Sequence, residues 1–149
     1  MWSDPELVAM GRWVLEALSL AVMLATCFYV MRQWGELPAR VPAHFDFRGR
    51  PDRWTGRWVL LFMLGVMAAM FVALSVNGGT LLLLEDRIEE RVRESFIMTW
   101  VKLHTLIILG FALWTMIRVA RGRAQRFQVR VVVLIASLMI LPLYLFDRG

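Results

Sequence analysis

Three polar side chains between the first two apolar blocks have the residue types that metal and acid–base chemistry use. His44, Asp46 and Asp52 lie close together in the sequence, and imidazole and carboxylate groups hold divalent metals or exchange protons. A zinc site needs three or four ligands, and nothing in the spacing brings His104 to these three. No HExxH, GxSxG or phosphate-binding glycine motif accompanies them. We therefore predict no catalytic residue, no metal site, no cofactor and no enzymatic activity.

The alternative for these side chains is a structural one. We expect His44 and the two aspartates to hydrogen-bond the backbone of their own loop and to pair with nearby arginines. Those arginines are Arg48, Arg50 and Arg53.

Three other ionisable residues lie inside long apolar blocks, where charge is costly and marks candidate functional sites. They are Glu16, Lys102 and His104. Glu16 and Lys102 lie near block ends that face the same side of a four-helix bundle, so they can form an ion pair. His104 lies deeper and is expected to face the other helices. Two interpretations stay open: structural pairing, or a pathway for protons or a ligand.

The elements that carry these residues are apolar and long. The 149-residue chain is 59% apolar, against about 45–50% in soluble domains, and its mean hydropathy is +0.60. Charge is nearly absent from four blocks and crowded between them, as in membrane proteins. We predict one all-α integral membrane domain with the lipid bilayer as its first partner. Its four transmembrane helices are predicted at 13–31, 58–76, 96–117 and 131–146.

The second linker and the second block carry two further signals. Asn77-Gly78-Gly79 is typical of a chain break. The charged stretch 85–94 has helical spacing, which indicates either an extension of the third helix or a helix lying at the membrane interface. The small residues between 65 and 69 predict close helix packing.

The arginines predict an orientation for the chain. The first and third linkers contain eleven arginines, whereas the opposite side contains five. The positive-inside rule therefore places linkers one and three in the cytoplasm and both termini outside. The arginines follow block ends rather than one helical face, so nucleic-acid binding is not expected.

The first linker, 32–57, has the features of an ordered loop. Pro38 and Pro42 favour extended backbone before them, and Gly49 permits a tight turn. Phe45 and Phe47 alternate with polar residues, which indicates an extended segment with one apolar face. Pro51-Asp52 favours a second turn. We expect Phe45, Phe47 and Trp54 to anchor this loop at the membrane surface.

The loop resembles the signature of the SdpI-like family of bacterial membrane proteins, which carry a module of unknown function with the pattern LPxxVPxHFDxxGxPDxW. The matching residues are Leu37, Pro38, Val41, Pro42, His44, Phe45, Asp46, Gly49, Pro51, Asp52 and Trp54. The resemblance implies a bacterial inner-membrane protein. It also implies a loop that recognises a peptide or protein partner in immunity or signalling.

Two other functions remain open at the level of sequence. A small transporter or channel component would use Glu16, Lys102 and His104 as its pathway. A structural subunit of a larger membrane complex would suit the small size of the chain. The partner and the oligomeric state are left open by the sequence.

Overall fold

The computed structural model of the chain describes residues 5–83 and 88–142. Helix α1 covers Pro5–Gln33 and runs into a short 3₁₀ helix, Trp34–Glu36. Strands β1, Arg40–Phe45, and β2, Pro51–Gly56, follow. The remaining elements are α2, Trp58–Leu83, α3, Ile88–Ala120, and α4, Val129–Leu138.

Three of these helices are long and apolar enough to cross a membrane. The segments are Glu6–Glu36, Trp58–Asn77 and Val92–Ala120. They contain the first three predicted spans, at 13–31, 58–76 and 96–117, in full. Helix α4 has 10 residues, which is about 15 Å of helix, about half of a hydrocarbon core. The predicted fourth span, 131–146, extends past residue 142 and so lies partly outside the described residues.

Helix α3 is the centre of the bundle, because both α1 and α2 pack along it while touching each other little. Helices α1 and α3 run parallel, since Val8 packs near Phe96 at one end and Gln33 meets Arg121 at the other. The larger apolar cluster of the fold joins all three long helices to β1. Its buried members are Val30, Leu37, Val41, Leu60, Met67, Leu106, Leu113, Met116 and Ile117.

The predicted break at Asn77-Gly78-Gly79 is wrong, because the backbone of α2 is helical from Trp58 to Leu83. The Asn77 side chain donates a hydrogen bond to the carbonyl of Ala73 over 2.7 Å. Val76 precedes this stretch, and a run of leucines follows Thr80. Each glycine costs a helix about 1 kcal/mol, less than an unpaired peptide group costs in hydrocarbon.

The described part of the charged stretch, residues 88–94, belongs to α3, which begins at Ile88. This agrees with the helical extension and not with a separate interfacial helix. Residues 84–87 lie outside the described part.

Close helix packing occurs at a different glycine from the one predicted. Gly65 is exposed, and a Cβ atom there would meet nothing within 4 Å. A Cβ atom at Gly110 would lie 2.8 Å from the Thr26 hydroxyl oxygen. Gly65 therefore makes no close helix contact within the described residues, and the tight crossing at Gly110 joins α1 to α3.

The first linker forms a two-stranded antiparallel hairpin. Arg40 pairs with Gly56 at its open end and Phe45 pairs with Pro51 near its tip, with register shifts around His44. The second turn predicted at Pro51-Asp52 is wrong, because both residues lie in β2. Proline is tolerated at the first position of an edge strand, where no ladder hydrogen bond from its nitrogen is needed.

Candidate functional site: the hairpin and the third linker

The tip of the hairpin is a tight turn organised by Asp46 and Gly49. The N–H of Gly49 donates to the carbonyl of Asp46 over 2.8 Å, and Gly49 has φ +75°. The Asp46 Oδ1 atom accepts hydrogen bonds from the backbone N–H groups of Arg48 and Arg50, at 2.8 and 2.7 Å. Short aspartate side chains commonly close turns in this way. Asp46 therefore shapes the loop backbone, as the sequence analysis expected.

The tip is fastened to the third linker. The N–H of Phe127 donates to the carbonyl of Gly49 over 2.7 Å. The Phe127 ring lies between two others, with its centroid 5.2 Å from that of Phe45 and 5.7 Å from that of Phe111. Three contacting rings, Phe45, Phe127 and Phe111, thus connect β1 through the third linker to α3. Gly49 is buried at this contact.

A second contact joins the first and third linkers at the helix ends. The Arg121 guanidinium donates to the Gln33 side-chain oxygen and to a carboxylate oxygen of Glu36. Helix α3 ends beside this contact in a Schellman motif, with Gly122 at φ +67° and the N–H of Arg123 bonded to the carbonyl of Arg118. Linkers one and three therefore lie at the same end of the bundle.

His44 and Asp52 form a pair across the hairpin. The His44 Nδ1 atom lies 2.6 Å from Asp52 Oδ1, and both side chains are about half exposed. The sequence predicted arginine partners for Asp52, and the cross-strand histidine takes that place because β1 and β2 bring the two together. Among the side chains that the structure describes, no group of three His, Cys, Asp or Glu residues could hold a metal ion.

The three aromatic residues predicted as anchors have different environments. Phe45 is half-buried against Phe127, whereas Phe47 is 84% exposed and Trp54 is 44% exposed. The single apolar face predicted for Phe45 and Phe47 is wrong, because Phe47 lies in the turn rather than in a strand.

The prolines of the signature also differ in burial. Pro42 is fully buried and is the register partner of Trp54, so residues of the two strands share this face. Pro38 is exposed and Pro51 is half-buried.

Glu16 and Lys102 meet between α1 and α3. The Lys102 side chain is fully buried, and its ammonium group donates to a Glu16 carboxylate oxygen. It also donates to the Ser75 hydroxyl of α2 over 2.8 Å and lies 5.0 Å from the centre of the Phe71 ring. This cluster links all three long helices, because the Lys102 ammonium group of α3 has partners on α1 and on α2.

His104 is buried but does not join that cluster. Its Nδ1 atom lies 2.9 Å from the carbonyl oxygen of Trp100, one turn earlier in α3, and its ring centroid lies 4.6 Å from that of Trp100. The structure therefore brings two of the three predicted intramembrane residues together and leaves the third bonded to its own helix.

Sequence reasoning missed Phe127, Arg121 and Ser75. The partners of these residues lie far away in the chain, and no local pattern marks them. One signal was available. The four-helix topology put linkers one and three on the same side of the membrane, and so put the hairpin and Phe127 at the same end of the bundle.

Comparison with known proteins identifies one module. Residues 21–69 match the family model described as a domain of unknown function, DUF1648. The match covers the second half of α1, the hairpin and the first half of α2. No curated protein and no solved structure matches the chain.

Proposed function

We propose that this chain is a non-enzymatic bacterial membrane protein of the SdpI-like type, which recognises a peptide or protein partner through its hairpin. The observation that carries the proposal is the fixed position of the hairpin. Gly49 is bonded to Phe127 at the tip, while Trp54 and the His44–Asp52 pair stay accessible on the strands. A surface held in place before binding loses less conformational entropy when a partner docks.

The chemistry of the exposed strand surface suits a polypeptide partner. Trp54 offers a large amphipathic ring, and aromatic and arginine side chains are enriched at interface hot spots. Arg40 and Arg53 are exposed on the same two strands, and both can donate to backbone carbonyls or acidic side chains of a peptide.

The setting of this recognition is part of the proposal. The chain would lie in the bacterial inner membrane, with linkers one and three in the cytoplasm according to the positive-inside rule. A fourth span at 131–146 is part of the same proposal. The hairpin would then meet an intracellular partner, which favours signalling over direct capture of an external peptide.

The experiment is site-specific photo-cross-linking in membranes of the native host. A photoreactive phenylalanine at Trp54 should give one discrete protein adduct. The same residue at Phe28, which is 68% exposed on α1, is the control for nonspecific adducts. The captured partner, once identified, should bind the purified protein in nanodiscs and lose binding with Trp54→Ala but not with Phe28→Ala.

Two results would contradict the proposal. One is an adduct pattern at Trp54 that is the same as at Phe28. The other is a captured protein that binds wild-type and Trp54→Ala nanodiscs equally. Immunity as such is tested by expression in a bacterium sensitive to the sporulation-delaying toxin peptide, where unchanged survival leaves signalling as the remaining role.

The transporter alternative would use Glu16, Lys102 and His104. Lys102 already has Glu16, Ser75 and the Phe71 ring as partners. His104 is bonded within its own helix. These contacts favour a structural role for the cluster.

A further inference from the structure

Exposed arginines of two separate linkers neighbour the contact between Gly49 and Phe127 in the sequence. Arg48 and Arg50 flank Gly49, and Arg126 directly precedes Phe127. Because the Phe127 N–H donates to the Gly49 carbonyl over 2.7 Å, the backbones that carry these arginines are in contact. We call Arg48, Arg50 and Arg126 the tip cluster.

The carboxylates of the two linkers do not balance the whole charge of the tip cluster. Glu36 accepts from Arg121 and Asp52 pairs with His44. Asp46 accepts from backbone N–H groups of the turn. The third linker contains no acidic residue. Three guanidinium groups against one nearby carboxylate, that of Asp46, leave the tip cluster with a net positive charge.

The position of the tip cluster along the bundle indicates its partner. Phe127 packs on Phe111, which precedes the end of α3 by about 14 Å of helix. The cluster therefore lies beside the last turns of a helix that can span the membrane, rather than beyond its end. Phe47, the residue next to Arg48, is 84% exposed, and aromatic rings favour the headgroup zone.

We propose that the tip cluster binds the phosphodiester headgroup of an anionic phospholipid, with the Phe47 ring placed among the surrounding headgroups. Guanidinium groups recognise phosphate oxygens through paired N–H donors. Basic pockets beside membrane helices recognise lipid headgroups in this way. This site is independent of partner recognition by Trp54, so either proposal can fail without the other.

The test uses the purified full chain in detergent, with native mass spectrometry to count bound lipids. Phosphatidylglycerol and phosphatidylcholine with identical acyl chains are added in equal amounts. The variant R48Q/R50Q/R126Q removes the tip cluster. The control R32Q/R40Q/R53Q removes three exposed arginines from the same end of the bundle, so both variants have the same net charge.

The wild-type chain and the control are expected to retain phosphatidylglycerol in preference to phosphatidylcholine. The tip-cluster variant should lose about tenfold or more in affinity for phosphatidylglycerol, because three basic residues near the headgroup are removed. Circular dichroism should show equal helix content in all three, because every substituted side chain is exposed.

Several outcomes would overturn the proposal. They include equal losses in the two triple variants, which would indicate net charge alone, and an absence of preference between the two lipids. Displacement of the lipid by inorganic phosphate at similar concentration would assign the site to free phosphate. Tighter binding of an acidic peptide, again dependent on the tip cluster, would assign the site to a polypeptide.

Discussion

The backbone of Gly49 lies against the backbone of Phe127, so closely that no side chain fits between them. A Cβ atom at Gly49 would lie 2.1 Å from the carbonyl oxygen of Phe127. The φ of +75° also strains any L-residue with a side chain. This contact fastens the hairpin to the third linker and exposes the strands in a fixed position.

Replacing Gly49 by alanine or valine is expected to detach the hairpin tip while the long helices stay inserted. The added Cβ atom has to displace Phe127, and the left-handed backbone conformation alone costs about 1–2 kcal/mol. Limited trypsin digestion should become faster at Arg48, Arg50 and Arg126, and the Phe127 amide should exchange faster with deuterium. The protein should remain in the membrane pellet after carbonate extraction.

Two glycines provide matched controls for that change. Gly35→Ala should have no effect, because a Cβ atom there meets nothing within 4 Å. Gly122→Ala should show backbone strain alone, since Gly122 has φ +67° but open space around its Cβ position. If Gly49→Ala matches Gly122→Ala in every readout, the close contact with Phe127 has no consequence and our account of the tip is wrong.

Glu16→Gln is expected to destabilise the folded chain by about 2 kcal/mol, because a fully buried ammonium group loses its charged partner. The free energy of unfolding can be measured by titration with sodium dodecyl sulfate in mixed micelles. The double variant Glu16→Gln/Lys102→Met should recover most of the loss, since removal of both charges leaves none unpaired. Glu94→Gln, at an exposed position of α3, is the control.

The same variant separates a structural cluster from a transport pathway. Ion flux in reconstituted vesicles should be absent for the wild-type chain and unchanged in Glu16→Gln. A flux that depends on Glu16, combined with unaltered stability, would contradict the structural interpretation.

The sequence predicted the long helices well because their length is set by an external dimension. About 20 residues cross the hydrocarbon core. The apolar run that begins at Trp58 and the one that ends at Ile117 have about this length, so each predicts the position of a helix. Gly49 was predictable for a local reason, since a turn with positive φ favours glycine. Each of these properties belongs to the residue and its immediate neighbours.

The remaining contacts depend on packing between distant segments. Asp52 has three arginines nearby in sequence, yet its carboxylate pairs with His44 of the other strand, whose register partner is Arg53. Phe127 gives no local sign that it meets Gly49. Asn77-Gly78-Gly79 looks like a break, but the backbone of α2 stays helical through it to Leu83.

Gly110→Ala is expected to destabilise the crossing of α1 and α3 by about 1–3 kcal/mol, the usual range for overpacking. The new methyl group would lie 2.8 Å from the Thr26 hydroxyl oxygen. That hydroxyl is held by a hydrogen bond to the carbonyl of Val22, so it cannot turn away without losing a bond. The free energy of unfolding in mixed micelles measures the effect.

A second substitution tests whether Thr26 causes the loss. Thr26→Ala removes the oxygen in question, so the double variant Gly110→Ala/Thr26→Ala should be more stable than Gly110→Ala alone. Gly65→Ala should be neutral or slightly stabilising, because its Cβ position is open and alanine favours helix. A double variant as unstable as Gly110→Ala would show that the strain arises elsewhere.

Cysteine labelling tests the sidedness of the two linkers. Phe47→Cys and Gln125→Cys, both at exposed positions, are introduced separately after Cys27→Ala. A membrane-impermeant maleimide should label both from the same side, because the Gly49–Phe127 hydrogen bond fixes the linkers together. We expect labelling only after the cells are opened, since the arginine excess predicts a cytoplasmic location.

The opposite end of the bundle supplies the control for that labelling. Glu94→Cys, at an exposed position near the start of α3, should react in intact cells. Labelling of Phe47→Cys and Gln125→Cys from different sides would contradict the fold itself. Labelling of both in intact cells would instead leave the fold in place and reverse only the orientation, because the contact between the linkers holds whichever side of the membrane they face.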